Sequence, residues 1–149
     1  MAPTLDKKPE CGDLIKINRG SYQHWAIYIG DGFVVHLAAP SFLHMKAMVK
    51  KEKLLDVVGT NKWEINNSLD KTYEPRPVHI FVKEACELVR QELSYSVLNE
   101  NCEHFVNVLR YGEAISVQVD EKREQIRKEI LALLEALFGL NEYENKNTQ

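Results

Sequence analysis

The chain has 149 residues and a formal net charge of −3, and 44% of its residues are hydrophobic. This length suits a single domain that buries roughly two-thirds of its unfolded surface, and the charge gives no basic footprint for nucleic acid. No run of about 18 apolar residues occurs, so we predict no membrane-spanning helix. The absence of an apolar signal segment at the N-terminus indicates a reducing, cytoplasmic location.

Three cysteines, Cys11, Cys86 and Cys102, lie far apart in the sequence. Their odd number and the lack of a Cys-x-x-Cys pair predict neither a disulfide framework nor a metal site. Any special role for a cysteine must therefore come from its own surroundings.

Residues 1–10 are polar with two prolines and predict a loose tail. Residues Gly12–Asn18 are apolar-rich with loose alternation, which is compatible with a strand. Two β-rich runs, Tyr22–Ile29 and Phe33–Leu37, then flank Gly30-Asp31-Gly32. Such runs around a Gly/Asp turn are the strongest hairpin signal in this chain.

The register of this hairpin decides whether His24 and His36 share a face. With a two-residue loop, Asp31-Gly32, the two rings point to opposite faces of the sheet. With a three-residue loop, or with a bulge that restores the parity, they become diagonal neighbours, roughly 7 Å apart at the backbone. Gly32 suits the left-handed position that a three-residue loop requires, so we predict a shared face.

The middle of the chain is less readable. Residues Val49–Val58 fit a strand or a short helix, and their periodicity does not decide between the two. Residues Trp63–Asn66 predict a strand, and Pro77 predicts the start of a helix. That helix carries an apolar stripe formed by Val78, Phe81, Val82, Ala85 and Val89. We expect Cys86, which lies beside the stripe, to be an inert core residue.

A helix is predicted from Asn101 to Tyr111, because polar helix-starting residues precede it and Gly112 follows its last turn. Cys102 lies on its apolar face together with Phe105, Val106 and Leu109. A cysteine in the first turn of a helix lies at the positive end of the helix dipole, which favours the thiolate. A lone helical cysteine is more often a small core residue, so the histidines must decide its role.

The combination of Cys102 with two histidines on one hairpin face favours thiol catalysis. In such enzymes an imidazole takes the thiol proton and later returns it to the leaving group, and a third polar group orients that imidazole. We assign Cys102 as nucleophile, His24 as base and His36 as the orienting group. The residues around His24, which are Tyr22, Gln23 and Trp25, are candidate substrate-binding residues.

The C-terminal region carries an amphipathic stripe that follows the charged run Asp120–Glu124. The stripe consists of Ile126, Ile130, Leu133, Leu134, Leu137 and Phe138. It fits a surface-lying membrane helix, a helix for a partner protein or self-association, or one that packs on its own domain. The acidic flank weakens the membrane reading, so packing or self-association is favoured.

Four segments carry a resemblance to a known family: His24–Gly32, Val35–Ala38, Asn66-Asn67, and Asn101–Val106 with Leu109–Gly112. They resemble the lecithin:retinol acyltransferase-like proteins, and within them the small phospholipase A/acyltransferases (HRAS-like suppressors). The similarity runs from about Pro9 to Val119. It implies an α+β, circularly permuted papain-like fold, in which an antiparallel sheet packs on the nucleophile helix.

The resemblance also implies a function. Cys102 would attack a glycerophospholipid ester to form an acyl-thioester, which water or an amine such as phosphatidylethanolamine resolves, with no metal or organic cofactor. It implies the same Cys102, His24 and His36 roles and peripheral contact with membranes. The expected organisation is a tail at 1–10, an acyltransferase-like catalytic domain at 11–116, and an amphipathic helix and tail at 117–149.

Three features depart from this family, and the first two favour an alternative function. The loop between His36 and Val49 looks shorter than in the cellular enzymes, and their apolar C-terminal anchor is missing. The ending Asn147-Thr-Gln149 is typical of cleavage after glutamine, as in picornaviral proteins that share the histidine-box and Asn-Cys motifs. The alternative is a non-enzymatic host-interaction module of viral type, and a cysteine protease or amidase is a third, less favoured reading.

Overall fold

The computed structural model of the chain describes residues 8–38, 46–94, 100–112 and 121–138. Within these residues the fold is α+β, with one six-stranded antiparallel sheet and four helices, which confirms the predicted class. The strands are β1 Leu14–Asn18, β2 Gln23–Gly30, β3 Phe33–Ala38, β4 Lys46–Lys53, β5 Trp63–Ile65 and β6 Glu92–Ser94. The helices are α1 Leu54–Val58, α2 Val78–Glu87, α3 Glu100–Tyr111 and α4 Glu121–Phe138.

The hairpin of β2 and β3 lies at the centre of the sheet, whose strand order is β5-β1-β2-β3-β4-β6. Its loop has two residues, Asp31 and Gly32, both with positive φ (55° and 84°), as a tight primed turn requires. The three-residue loop expected from the sequence is therefore wrong. A bulge between Tyr28 and Gly30 restores the register, so that Ala26 lies opposite His36.

The two faces of the sheet bury different sets of side chains, because neighbouring strand residues point to opposite sides. Trp25, Ile27 and Val35 share one core with the inward face of α3. Ala26 and Val34 belong to a second, smaller core, which α1 covers. His24 and His36 alternate with the first set, so their positions belong to the α1 side of the sheet.

The segment that the sequence left open between strand and helix contains both. Strand β4 runs to Lys53, and α1 begins at Leu54 without a break. Leu54, Val57 and Val58 are buried against the small core, whereas Leu55 is 74% exposed. The change of period therefore coincides with the end of the β3–β4 ladder, where Phe33 lies opposite Lys53.

A polar network fixes the C-terminal end of α3. Arg110 donates two hydrogen bonds to the Asp70 carboxylate, at 3.1 and 2.7 Å, and a third to the Gly12 carbonyl oxygen at 2.7 Å. Tyr111 Oη donates to the same carboxylate at 2.6 Å. Burial alone would raise the pKa of Asp70, but the hydrogen bonds from Arg110 and Tyr111 hold it below its ordinary value. The network ties α3 to the loop before β1.

Helix α4 packs on α3 and β6. Ile130 and Leu134 are buried in the main core, at 0% and 1% exposure, and Leu131 and Leu133 are partly buried against it. Packing on its own domain, one of the two favoured readings of the amphipathic stripe, is therefore confirmed. Ile126 and Phe138 lie within the helix, but their side chains fall outside the described part of the structure.

The position of α4 gives a first testable prediction. We expect Leu134→Ala to lower the free energy of unfolding by about 2–5 kcal/mol, because it leaves a cavity in the core. The matched control is Leu137→Ala on the same helix, where the side chain is 42% exposed and the expected loss is below about 1 kcal/mol. Urea unfolding measures both. Equal losses in the two variants would contradict the docking of α4.

Cys86 corrects an expectation. The sequence places it in the core, but its side chain is exposed on α2, while its neighbour Ala85 is fully buried. The apolar stripe is narrower than its hydrophobic residues suggest, so a residue beside the stripe faces solvent.

Within the described residues, no helix is both long and apolar enough to cross a membrane.

Candidate active site

The two histidines of the hairpin meet on one face of the sheet, as predicted. His24 Nε2 lies 2.8 Å from His36 Nδ1, and the ring planes cross at 85°. The contact follows from the register: His36 lies opposite Ala26, so His24 is its diagonal neighbour on the same face. The bulge, rather than an odd loop, creates this arrangement.

A carboxylate extends the histidine pair on its other side. Glu52 Oε2 lies 2.7 Å from His36 Nε2. The sequence does not indicate this role for Glu52, because the periodicity of Val49–Val58 does not decide between a strand and a helix. Had β4 been assigned with its register, Glu52 would have been found as a diagonal neighbour of His36, since Lys50 lies opposite that histidine.

Both imidazoles are held in the neutral form. Burial, followed by the neighbouring His36 and Arg19, lowers the pKa of His24 to about 3. Burial also lowers the pKa of His36, although Glu52 opposes that shift through its hydrogen bond and its charge. Each ring therefore carries one N–H donor and one acceptor nitrogen at pH 7.

Cys102 lies in the first turn of α3, as predicted, with only 4% of its surface exposed. Its Sγ is 3.7 Å from the carbonyl oxygen of Gln23 and accepts a hydrogen bond from the main-chain N–H of Trp25. Among the described residues, the β2–β3 ladder starts only at Ala26. The thiol thus contacts the main chain on both sides of His24, where β2 is paired with β1 but extends beyond its ladder with β3.

The electrostatics of the thiol combine two opposing effects. Burial raises the pKa of Cys102 to about 11, whereas the N–H groups of Trp25, Cys102 and Glu103 act in the opposite direction. The helix start does favour the thiolate, as expected, but desolvation outweighs it. Burial therefore keeps Cys102 a neutral thiol at pH 7, although its helix-start position acts toward the thiolate, as expected.

This result gives a prediction for alkylation. At pH 7 we expect iodoacetamide to modify the exposed Cys86 faster than the buried, protonated Cys102. The rate at Cys102 should keep rising above pH 8, by about tenfold per pH unit, as the thiolate fraction grows. Peptide mass spectrometry at several pH values measures both rates. A plateau for Cys102 below pH 7 would instead indicate a stable thiolate–imidazolium pair.

The candidate substrate-binding residues differ in their exposure and contacts. Tyr22 is 40% exposed, Gln23 meets Cys102 through its carbonyl, and Trp25 is 9% exposed. Trp25 also lines a cleft of about 200 Å³ together with Glu103, the residue after the cysteine. Lys16 lies over the Trp25 ring at 5.9 Å from its centroid and borders the same cleft.

The α+β fold and the cysteine and histidine residues define a class of thiol-dependent candidates, and a comparison with known families shows which family the chain belongs to. Residues 7–115, most of the chain, match the family described as lecithin retinol acyltransferase. The matched range includes His24, His36 and Cys102, and it agrees with the range over which the sequence motifs carry their resemblance. The chain belongs to this family.

Curated relatives are similar over nearly the whole chain. The human protein named phospholipase A and acyltransferase 4 is 42% identical, and the alignment covers 95% of this chain and 96% of that protein. Human phospholipase A and acyltransferase 3 is 48% identical over 93% of this chain and 88% of its own length. Human phospholipase A and acyltransferase 2 is 51% identical over 75% of this chain and 76% of its own length.

Proposed function

We propose that this protein is a thiol-dependent phospholipase A/acyltransferase that forms an acyl-thioester from a glycerophospholipid. The observation that carries the proposal is the placement of Cys102 Sγ against the main chain on both sides of His24, whose ring contacts His36. The names of the relatives support the lipid substrate, and their near-complete alignment supports the transfer of that activity.

In the proposed first half-reaction, the thiol proton moves to His24 Nδ1, the ring nitrogen that does not contact His36. Sγ attacks the ester carbonyl carbon, and the tetrahedral intermediate collapses with cleavage of the carbon–oxygen bond. The departing glycerol oxygen takes the proton from His24, which releases a lysophospholipid and leaves the acyl group on Cys102. Because the resting pair is neutral, charge separates only when the substrate is attacked.

The second half-reaction returns the thiol. Water or the amine of phosphatidylethanolamine attacks the thioester carbonyl and gives a proton to His24. The carbon–sulfur bond then breaks, and the thiolate takes the proton back from His24. When water is the acceptor, the product is a fatty acid. When the amine is the acceptor, the product is an N-acyl phosphatidylethanolamine. We propose that the protein works in the cytoplasm, at membrane surfaces from which it takes its lipid.

The burial of the thiol favours a second candidate function. Only 4% of Cys102 is exposed, so an ester can reach Sγ only if the site opens. A binding module that retains the fold without turnover would tolerate such burial. This alternative predicts a folded protein that never becomes acylated.

Intact-protein mass spectrometry after incubation with phosphatidylcholine vesicles separates the two candidates. The enzyme is expected to gain the mass of one fatty acyl group and to release lysophosphatidylcholine. The same measurement on phosphatidylcholine dispersed below its aggregation limit shows whether a membrane surface is needed. If no adduct and no lysolipid form with either lipid preparation, the enzymatic proposal is overturned in favour of the binding module.

A further inference from the structure

We propose that Glu52 is a positioning residue that fixes the tautomers of His36 and His24, so that Nδ1 of His24, the proposed catalytic base, stays unprotonated. The inference rests on the proposed function for its catalytic meaning. The hydrogen-bond geometry on which it stands is independent of that function.

The geometry starts from the β3–β4 ladder. Val34 lies opposite Glu52, and His36 lies opposite Lys50, so Glu52 and His36 are diagonal neighbours on one face. The carboxylate lies 2.7 Å from His36 Nε2. The histidine side chain is 6% exposed and the glutamate side chain 43% exposed, so the carboxylate keeps contact with water while it reaches a buried ring.

The proton positions follow from the chemistry of each group. An ionised carboxylate only accepts hydrogen bonds, so His36 must carry its proton on Nε2 and donate it to Glu52. Nδ1 of the neutral His36 is then an acceptor, and His24 must donate to it from Nε2. Nδ1 of the neutral His24 is consequently unprotonated. One carboxylate therefore selects one tautomer at two successive rings.

The charges around the pair keep both rings neutral, which this hydrogen-bond arrangement requires. Arg19 and Lys50 both act to lower the pKa of His36, and burial acts in the same direction and more strongly. Arg19 also lowers the pKa of His24. These groups keep the rings neutral without choosing a tautomer. The carboxylate of Glu52 makes that choice, because it is the acceptor in contact with His36 Nε2.

The first test compares Glu52→Ala with Glu92→Ala. Glu92 is an exposed glutamate on β6, where it lies opposite Met48 of β4. Loss of the carboxylate is expected to lower kcat on phosphatidylcholine by on the order of ten- to a hundredfold with little change in KM, since it misorients the base rather than the substrate. The control should keep the wild-type kcat. Unchanged kcat in folded Glu52→Ala would overturn the proposal.

The second test adds Glu52→Ala to His36→Gln. Because Glu52 acts through His36, the double variant should be no slower than His36→Gln alone. A further drop that multiplies the two separate effects would overturn the inference. Glu52→Gln is expected to retain more activity than Glu52→Ala, because its amide oxygen can accept the same N–H, and equal losses in the two variants would contradict a role through hydrogen bonding.

The third test reads the tautomers without activity. In ¹⁵N-labelled wild-type protein at pH 7, long-range ¹H–¹⁵N spectra should show both rings as Nε2–H tautomers. Glu52→Ala should shift His36 to a mixture of tautomers, and Glu92→Ala should not. A wild-type protein without turnover but with these spectra would refute the proposed function and keep the positioning role. Nδ1–H tautomers in the wild type would refute the positioning role itself.

Discussion

Cys102→Ser is expected to abolish acyl-adduct formation and to reduce phospholipid hydrolysis by on the order of a thousandfold or more, because no sulfur remains to form the thioester. The fold should survive, since the replacement changes little volume and the hydroxyl can still donate to the Gln23 carbonyl that the thiol contacts. We expect a loss of about 1 kcal/mol in the free energy of unfolding. Intact-protein mass spectrometry, lysolipid release and urea unfolding measure the three effects.

The control is Cys86→Ser, which replaces an exposed cysteine on α2. It should retain both the adduct and the turnover of the wild-type protein. An adduct that persists in Cys102→Ser, or one that disappears in Cys86→Ser, would place the acyl group on a different residue and would refute the assigned nucleophile.

His24→Ala is expected to be nearly as damaging as loss of the cysteine. Groups that act as a unit fail together, and the neutral thiol, with its pKa raised to about 11, needs a base to lose its proton at pH 7. His36→Gln should instead keep measurable activity, because it disturbs the orientation of His24 without removing that ring. Rates of lysolipid release at pH 7 give the ranking.

The exposed His79 on α2 provides the control for these histidine variants. His79→Ala should have the wild-type rate, and circular dichroism should show that all three variants are folded. If His36→Gln were as slow as His24→Ala, His36 would be doing more than orienting its neighbour. If His24→Ala retained most of the activity, His24 could not be the base.

The hairpin shows how far local sequence reasoning reached. The composition of Tyr22–Leu37 determined the two strands, and the shared face of His24 and His36 was predicted correctly. The favoured reason for the shared face, a three-residue loop, was wrong. The loop has two residues, and a bulge after Tyr28 shifts the register. A bulge depends on how both strands fit their neighbours, so turn residues alone do not reveal it.

Electrostatics depend even more on the assembled structure. The sequence correctly places Cys102 in the first turn of α3, and it correctly states that this position favours the thiolate. It cannot give the burial that raises the pKa of Cys102 to about 11, because that burial comes from β2 and from the helix packing against the sheet. Cys86 shows the reverse case, in which a residue beside an apolar stripe proves to be exposed.

The sequence by itself determined the family and, through that resemblance, the α+β class, because the motifs that carry the resemblance are contiguous in the chain. It also determined helix α3 with Cys102 in its first turn, because that depends on local periodicity. Only the tertiary structure decided that α4 packs on α3, and that Glu52 reaches His36 at 2.7 Å. Both contacts join segments that are separated in the chain, and their separation in sequence does not predict that they are close in space. Strand pairing and core packing set these contacts, and they exist only once the whole sheet has formed.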